Sequence, residues 1–293
     1  MKKEKKFAET ELILTDDNRV YHLNLKEENI ADDVIVVGDQ GRVQQISKYF
    51  SKIEFKTEHR EFVTHTGILK EKRITVLSTG IGTDNIDIVL NELDAAVNID
   101  PVTRTEKSNK RSLNIIRLGT SGSLQGDIPV NGLVVSSHGL GLDGLLNFYS
   151  GWDIVCENQI SEQFLKHTDW SVNLPYPYCV PASKKLFDKY SPGNYHGITA
   201  TAPGFYGPQG RQLRLESSKT NLNELLTTFR FNNLRISNFE METSALYGLG
   251  NLLGHNCLTV CVIIANRINK EFTKDYSKSV ELLISDCLER LTA

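Results

Sequence analysis

The chain has 293 residues, 40% of them hydrophobic and 24% charged, with a formal net charge of −3. That is ordinary globular composition, long enough for one large α/β domain or two small ones. The slightly acidic balance argues against a nucleic-acid binder held by a broad basic face, and no run approaches the roughly 18 apolar residues of a membrane span.

The start, MKKEKKFAETE, carries both signs of charge and no apolar h-region, so it does not read as a signal peptide. Residues 34–37, VIVV, predict a first strand, which Gly38-Asp39 breaks. A helix follows over about 42–50, with Val43, Ile46, Tyr49 and Phe50 on one face. Residues 60–69 and 73–78 read as a strand pair ending at STGIGTDN. The spacing of Ile86, Val89, Leu90, Leu93 and Val97 predicts a helix over 84–97. The polar stretch 98–112, NIDPVTRTEKSNKRS, reads as a long loop insertion. Its four cations either meet an anionic ligand or are solvated.

Strands are then expected at 114–118, 133–137 and 195–201, the last leading into FYGPQGRQ (205–212). A helix near 222–229, a strand at 235–239, a helix over 243–253, a strand at 257–265 and a closing helix over about 275–291 complete the chain. Strands separated by helical stretches predict a single α/β domain spanning 1–293. Its central sheet would be mixed but largely parallel, and flanked by helices. The five cysteines, Cys156, Cys179, Cys257, Cys261 and Cys287, are odd in number and form no CxxC; no HExxH occurs either. Cys257 and Cys261 lie in or beside the apolar run LTVCVII and read as core thiols. A reducing, cytoplasmic setting without disulfides or a zinc site is expected.

Glycine-bearing breaks follow several predicted strands: VVGDQGR (36–42), STGIGTDN (78–85) and RLGTSGS (117–123). Ligands in open α/β sheets gather beyond the carboxyl ends of strands. Glycine lets backbone N–H groups approach an anion, and Arg42, Arg117 and Thr120 stand beside these breaks. The pattern suits phosphate. It is neither GxxxxGK[ST] nor a dinucleotide fingerprint, since Asn85 replaces the third glycine; free phosphate or a small phosphorylated group remains. FEMETSALYG (239–248) puts Glu240 and Glu242 at a strand–helix junction, where carboxylates either cap the helix or accept vicinal sugar hydroxyls. In FYGPQGRQ, a rigid turn carries Gln209 and Arg211 two residues apart; planar amide and guanidinium groups suit a flat polar ring.

These motifs, with VYHLNL (20–25), HREF (59–62), IRLGTSGSL (116–124) and IIANR (263–267), occur in family order, and the chain resembles the nucleoside phosphorylase-I family, within it the uridine phosphorylases. The resemblance runs from about His22 to the final helix. It implies a sheet distorted toward a barrel and reversible phosphorolysis of uridine to uracil and ribose 1-phosphate. Phosphate would be a co-substrate, with no cofactor and no metal. Gly38, Arg42, Arg117 and Thr120 would hold phosphate, with Arg60 reaching in from a neighbouring subunit. Glu242, Met241 and Thr120 would meet the ribose, with His22 from the neighbour at the 5′ hydroxyl. Phe205, Gln209, Arg211, Gly122 and Arg267 would form the base site, Arg267 near where purine-specific relatives carry an assisting Asp. Arg117, Gln209 and Arg211 would carry the catalysis. Sites shared between subunits imply a homo-oligomer, a dimer or a hexamer. A purine phosphorylase, a nucleoside hydrolase and a catalytically silent nucleoside binder are the alternatives. Three departures stand out: Pro203 sits where many relatives have an acidic residue, Thr83-Asp84-Asn85 replaces a Gly-Pro-Ser run, and the 98–112 insertion is longer than in compact bacterial members.

Overall fold

All five residues of strand β1 (Asp33–Val37) are buried. Side chains alternate across a strand, so Val34 and Val36 enter one apolar cluster while Ile35 and Val37 enter another. A strand apolar on both faces belongs in the middle of a helix-covered sheet. The computed structural model describes residues 5–293, so the first four residues of the charged start lie outside the described ones.

From β1 the chain passes through α1 (Gln40–Ser47), β2 (Lys52–His59), β3 (Phe62–Leu69) and β4 (Lys72–Ser78) to α2 (Thr83–Asn98). The short strands β5 (Ile99–Asp100) and β6 (Thr105–Glu106) precede β7 (Asn114–Ser123) and β8 (Leu133–Gly141). Then come α3 (Asn158–Thr168), β9 (Tyr178–Pro181), α4 (Lys184–Tyr190) and β10 (Tyr195–Thr201). The last third holds α5 (Leu222–Thr228), β11 (Arg230–Phe231), β12 (Leu234–Glu240), α6 (Thr243–Leu253), β13 (Asn256–Asn266), β14 (Glu271–Phe272) and α7 (Ser277–Thr292).

The main sheet runs β11-β12-β10-β8-β13-β7-β1-β4-β3-β2. Parallel pairs join β4, β1, β7 and β13, and again β8, β10 and β12. β8 and β13 run antiparallel, so the sheet is mixed. β7 also pairs with β12, Phe239 opposite Gly122 and Asn238 opposite Ser123. That contact closes β7, β12, β10, β8 and β13 into a circuit, a partial barrel. α2 and α6 cover one side, with Ile86, Val89, Leu90 and Leu93 packed near Leu246 and Leu249. Helices α1 and α7 cover the other through Val43, Ile46, Ile284 and Leu288.

Two expectations change. The glycine-rich stretch 117–123 is strand, not loop: β7 runs on to Ser123. Helix α1 ends at Ser47, three residues before the predicted end, and Tyr49 turns outward to bond Glu281.

The insertion at 98–112 is a small hairpin plus turns, and its cations are spoken for within the chain. Lys107 pairs with Glu27 at 2.6 Å and Arg111 with Asp32 at 2.6 Å. Arg104 donates to the carbonyls of Phe7 and Ala8, each at 3.0 Å, and to that of Leu12. The insertion therefore clamps the N-terminal segment through Arg104, while Lys110 pairs only with Glu106 of the same loop and stays exposed, as the solvated reading expects. Arg104→Ala should lower unfolding free energy by about 1–3 kcal/mol, because three carbonyls lose a charged donor. Urea denaturation measures it; an unchanged midpoint would show that the clamp carries no stability.

Candidate active site

The loops after β1 and β4 approach each other closely. A side chain at Gly38 would stand 3.3 Å from the Gly80 carbonyl. The turn after β1 is capped by Asp39, which accepts the Gly41 N–H at 2.9 Å and starts α1. One residue on, Arg42 is buried and donates to the Leu118 carbonyl at 3.1 Å. Burial pushes its guanidinium below the ordinary arginine value; Asp39 opposes this and the like charge of Arg117 adds to it.

Arg117 projects from β7 into the same region. Its Nη1 lies 3.1 Å from Glu240 Oε2 and 3.5 Å from Cys261 Sγ, and its Nη2 pairs with Glu242. Gly119 leaves room for it: a Cβ there would strike the guanidinium and approach the Cys261 sulfur to 3.0 Å. Burial works against the Arg117 charge, but Glu242 and Glu240 overcome it and hold the guanidinium above its ordinary value.

The two carboxylates differ in task. Glu240, the last residue of β12, accepts the backbone N–H groups of Glu242 and Thr243 and the Thr201 hydroxyl. It caps α6, as one of the two sequence readings proposed for this pair. Glu242 accepts the Gly82 N–H at 2.8 Å and shares Arg117. Burial raises it to about 7; Arg117 works against that rise, and the like charge of Glu240 adds to it.

A second basic group lies on the turn after β10. Gln209 is 3% exposed. Its Oε1 accepts from Arg211 Nη1 at 2.7 Å and from Arg267 Nη2 at 3.0 Å. Arg267 Nη1 also donates to the Gln209 carbonyl at 2.6 Å. Arg211 lies over the Phe205 ring at 3.7 Å and donates to the Phe205 carbonyl at 2.6 Å. Burial and the Arg211 charge lower Arg267 to about 10. Gln209 Nε2 has no partner among the described residues. The expected pair of amide and guanidinium is thus part of a triad: the amide oxygen is taken by two arginines, and the amide N–H₂ and spare guanidinium N–H groups remain.

Both groups line one cavity of about 1210 Å³, with Thr120, Gly122, Met241 and Glu242 among the other lining residues. Of the residues the sequence put forward, Gly38, Arg42, Arg117, Thr120, Gly122, Phe205, Gln209, Arg211, Met241, Glu242 and Arg267 come together here. His22 and Arg60 do not line it. They cluster outside with Tyr21 and His59: Arg60 lies 5.4 Å from the Tyr21 ring, and His22 stacks edge-on to it. Sequence reasoning missed Glu61, Asn223, Phe272 and Tyr276, which also line the cavity. None sits in a recognisable motif except Glu61, in HREF. Asn266 also lines the cavity, but its amide is engaged within the chain: it donates to the Gln125 and Ile128 carbonyls and accepts the Ile268 and Asn269 N–H groups.

The sequence pattern of the phosphorylase superfamily matches residues 32–292. The chain belongs to the phosphorylase superfamily. A uridine phosphorylase of Thermococcus kodakarensis is 30% identical over 98% of this chain and 91% of its own length. A DeoD-type purine nucleoside phosphorylase of Buchnera aphidicola is 26% identical over 92% of this chain and 95% of its own. Among solved structures, a Trypanosoma brucei nucleoside phosphorylase described as showing uridine phosphorylase activity superposes with a TM-score of 0.81 at 29% identity, covering 96% of this chain and 98% of that one. This phosphorylase chain thus shares its fold, and not only short motifs, with such enzymes. No helix among the described residues is long and apolar enough to cross a membrane.

Proposed function

We propose that this chain is a uridine phosphorylase, transferring the ribosyl group of uridine to inorganic phosphate. One observation carries the reading: a single cavity holds two separate arginine groups and a buried carboxylate. Arg42 and Arg117, with Gly38 and Thr120, suit a phosphate. Glu242 suits vicinal ribose hydroxyls. Gln209, Arg211 and Arg267 offer donors to an electron-rich ring.

The chemistry needs no protein nucleophile. A phosphate oxygen attacks the anomeric carbon, the carbon–N1 bond breaks, and its electron pair leaves on the base. Fixing phosphate against the sugar removes entropy cost. Negative charge grows on the departing uracil, so donors aimed at its edges hold it more strongly in the transition state than in the ground state. Phosphate is consumed as a co-substrate, and no cofactor is invoked. Arg267 stands near where purine-specific relatives carry an assisting Asp, and the amide of its neighbour Asn266 is fully engaged within the chain; that favours a pyrimidine over the purine alternative.

His22 and Arg60, turned away from their own cavity, support an assembly in which they complete a neighbour's site, in a dimer or a hexamer. Five unpaired cysteines support a reducing, cytoplasmic setting.

The test is release of uracil from uridine with and without phosphate, beside inosine. Phosphate-dependent cleavage of uridine, with inosine neglected by at least about 10² in kcat/KM, is expected. Cleavage without phosphate would make the protein a hydrolase, preference for inosine a purine enzyme, and binding without turnover a silent module.

A further inference from the structure

The interior of α2 carries a carboxylate with an unusual set of partners. Glu92 does not line the cavity, and its side chain is only 15% exposed. It accepts the His22 backbone N–H at 3.0 Å and 2.9 Å through its two oxygens, and the Leu23 N–H at 2.8 Å. The His22 ring closes the set, with Nδ1 2.6 Å from Glu92 Oε1. All these donors come from a segment some 70 residues away in sequence.

Two backbone N–H groups would be satisfied by any well-placed acceptor. The ring contact does something further. Facing a carboxylate that already accepts N–H groups, Nδ1 must carry the proton. Nε2 then has no partner among the described residues, and the ring is part-exposed. The neighbouring imidazole follows the same pattern. His59 Nδ1 lies 2.9 Å from the His22 carbonyl, which can only accept, so this ring too is fixed through Nδ1. Tyr21 packs edge-on against both rings, at 5.0 Å and 6.4 Å between centroids. The segment itself is held by the Val20–Leu25 turn, in which Asn24 adopts φ +55°. Rotation about χ2 and exchange of tautomer are thereby both blocked at His22.

We propose that Glu92 is a positioning residue for the reaction: it fixes the tautomer and rotation of His22, so that Nε2 meets the 5′ hydroxyl of a nucleoside held by a second copy of the chain. This rests on the reading of His22 as a ribose contact in a neighbour's site. An imidazole held by a carboxylate presents one defined nitrogen, as orienting partners do for histidines elsewhere. A ring free to flip would present either nitrogen, or carbon, to the hydroxyl.

The experiment compares uridine with 5′-deoxyuridine, which lacks the hydroxyl. Wild type should prefer uridine. Glu92→Gln keeps the volume but sets an amide N–H₂ against N–H donors. It should lower kcat/KM for uridine by on the order of ten- to a hundredfold, mainly through KM. The constants for 5′-deoxyuridine and the KM for phosphate should stay within about twofold of wild type. In a His22→Asn background Glu92→Gln should add nothing, as expected for two residues acting as one unit. Equal losses on both substrates would reduce Glu92 to a holder of the turn and overturn the proposal. A wild type indifferent to the 5′ hydroxyl would overturn it as well, by removing the His22 contact, while leaving uridine phosphorolysis intact. An arm independent of turnover is ¹⁵N NMR of the imidazoles. The Nδ1-protonated form of His22 is expected in wild type and its loss in Glu92→Gln; an Nε2-protonated ring in wild type would refute the proposal whatever the kinetics.

Discussion

Arg117→Ala should remove most of the activity and about 3–5 kcal/mol of stability together. The resemblance implies a phosphate-binding arginine; the structure adds that its guanidinium stands between two buried carboxylates. Truncation would leave Glu240 and Glu242 facing each other without a counter-charge, and an uncompensated buried charge costs more than a lost contact. The loss should depend on pH. Glu242 is raised above its unfolded value to about 7, so the folded chain binds its proton more tightly than the unfolded chain does. Its contribution is present at acid pH and is lost as pH rises through about 7. Removing Arg117 takes away the charge that lowers Glu242, so the carboxyl moves higher and the variant should lose more stability on the way from pH 5 to pH 8 than wild type does. Urea denaturation across that range, beside steady-state phosphate kinetics, measures both. A variant as stable as wild type at pH 8 would mean that Arg117 does not hold the carboxylates, and an unchanged phosphate KM that it does not hold the anion.

The pairing of Arg117 with two carboxylates lies beyond what sequence reading gives. The long periodic helix α2 was legible because its apolar positions recur at helical spacing, and all five predicted positions are buried. Strand β1 was legible as an apolar run bounded by Gly38. Strand β2, KIEFKTEH, was not, because it is a mostly exposed edge strand, half of it charged, with only Phe55 packed against the core. Helices α3 and α4 were missed in a stretch where aromatic and polar residues mix, and tertiary packing rather than local pattern fixes them. The closure of β7 onto β12 was also beyond local reading. Gly119 and Gly122 look like loop glycines, yet Gly119 is needed to make room for the Arg117 guanidinium. In the candidate site the family-ordered motifs named most of the lining residues. What they could not give was which groups hold which: Glu240 on Arg117, Arg267 on Gln209, Glu92 on His22. Those pairings join residues from 58 to 123 apart in sequence.

The pair on the FYGPQGRQ turn bears most directly on base choice. Arg211→Ala should lower kcat/KM for uridine by on the order of 10²–10³, the usual cost of a donor aimed at developing charge. The structure adds a reason for the large figure. Arg211 donates to the Gln209 amide oxygen and stacks on Phe205, so its loss also frees the amide and an aromatic wall. Arg211→Lys should not restore the rate: Nη1 alone bonds Gln209 and the Phe205 carbonyl, and an ammonium lacks the flat face that lies over Phe205 and the further N–H groups left for the base. Gln209→Glu separates binding from folding. A carboxylate between Arg211 and Arg267 would pair well with both, so thermal stability should hold or rise. It would also remove the free Nε2 donor and set a negative charge where the leaving base gathers its own. Turnover of uridine should therefore fall by on the order of 10²–10³ as well, with phosphate KM little changed, because Arg42 and Arg117 belong to the other arginine group. Steady-state kinetics of the three variants against uridine and phosphate, beside their melting temperatures, decides it. If Gln209→Glu cleaves uridine as wild type does, or if Arg211→Lys is fully active, the triad does not read the base, and the turn merely walls the cavity.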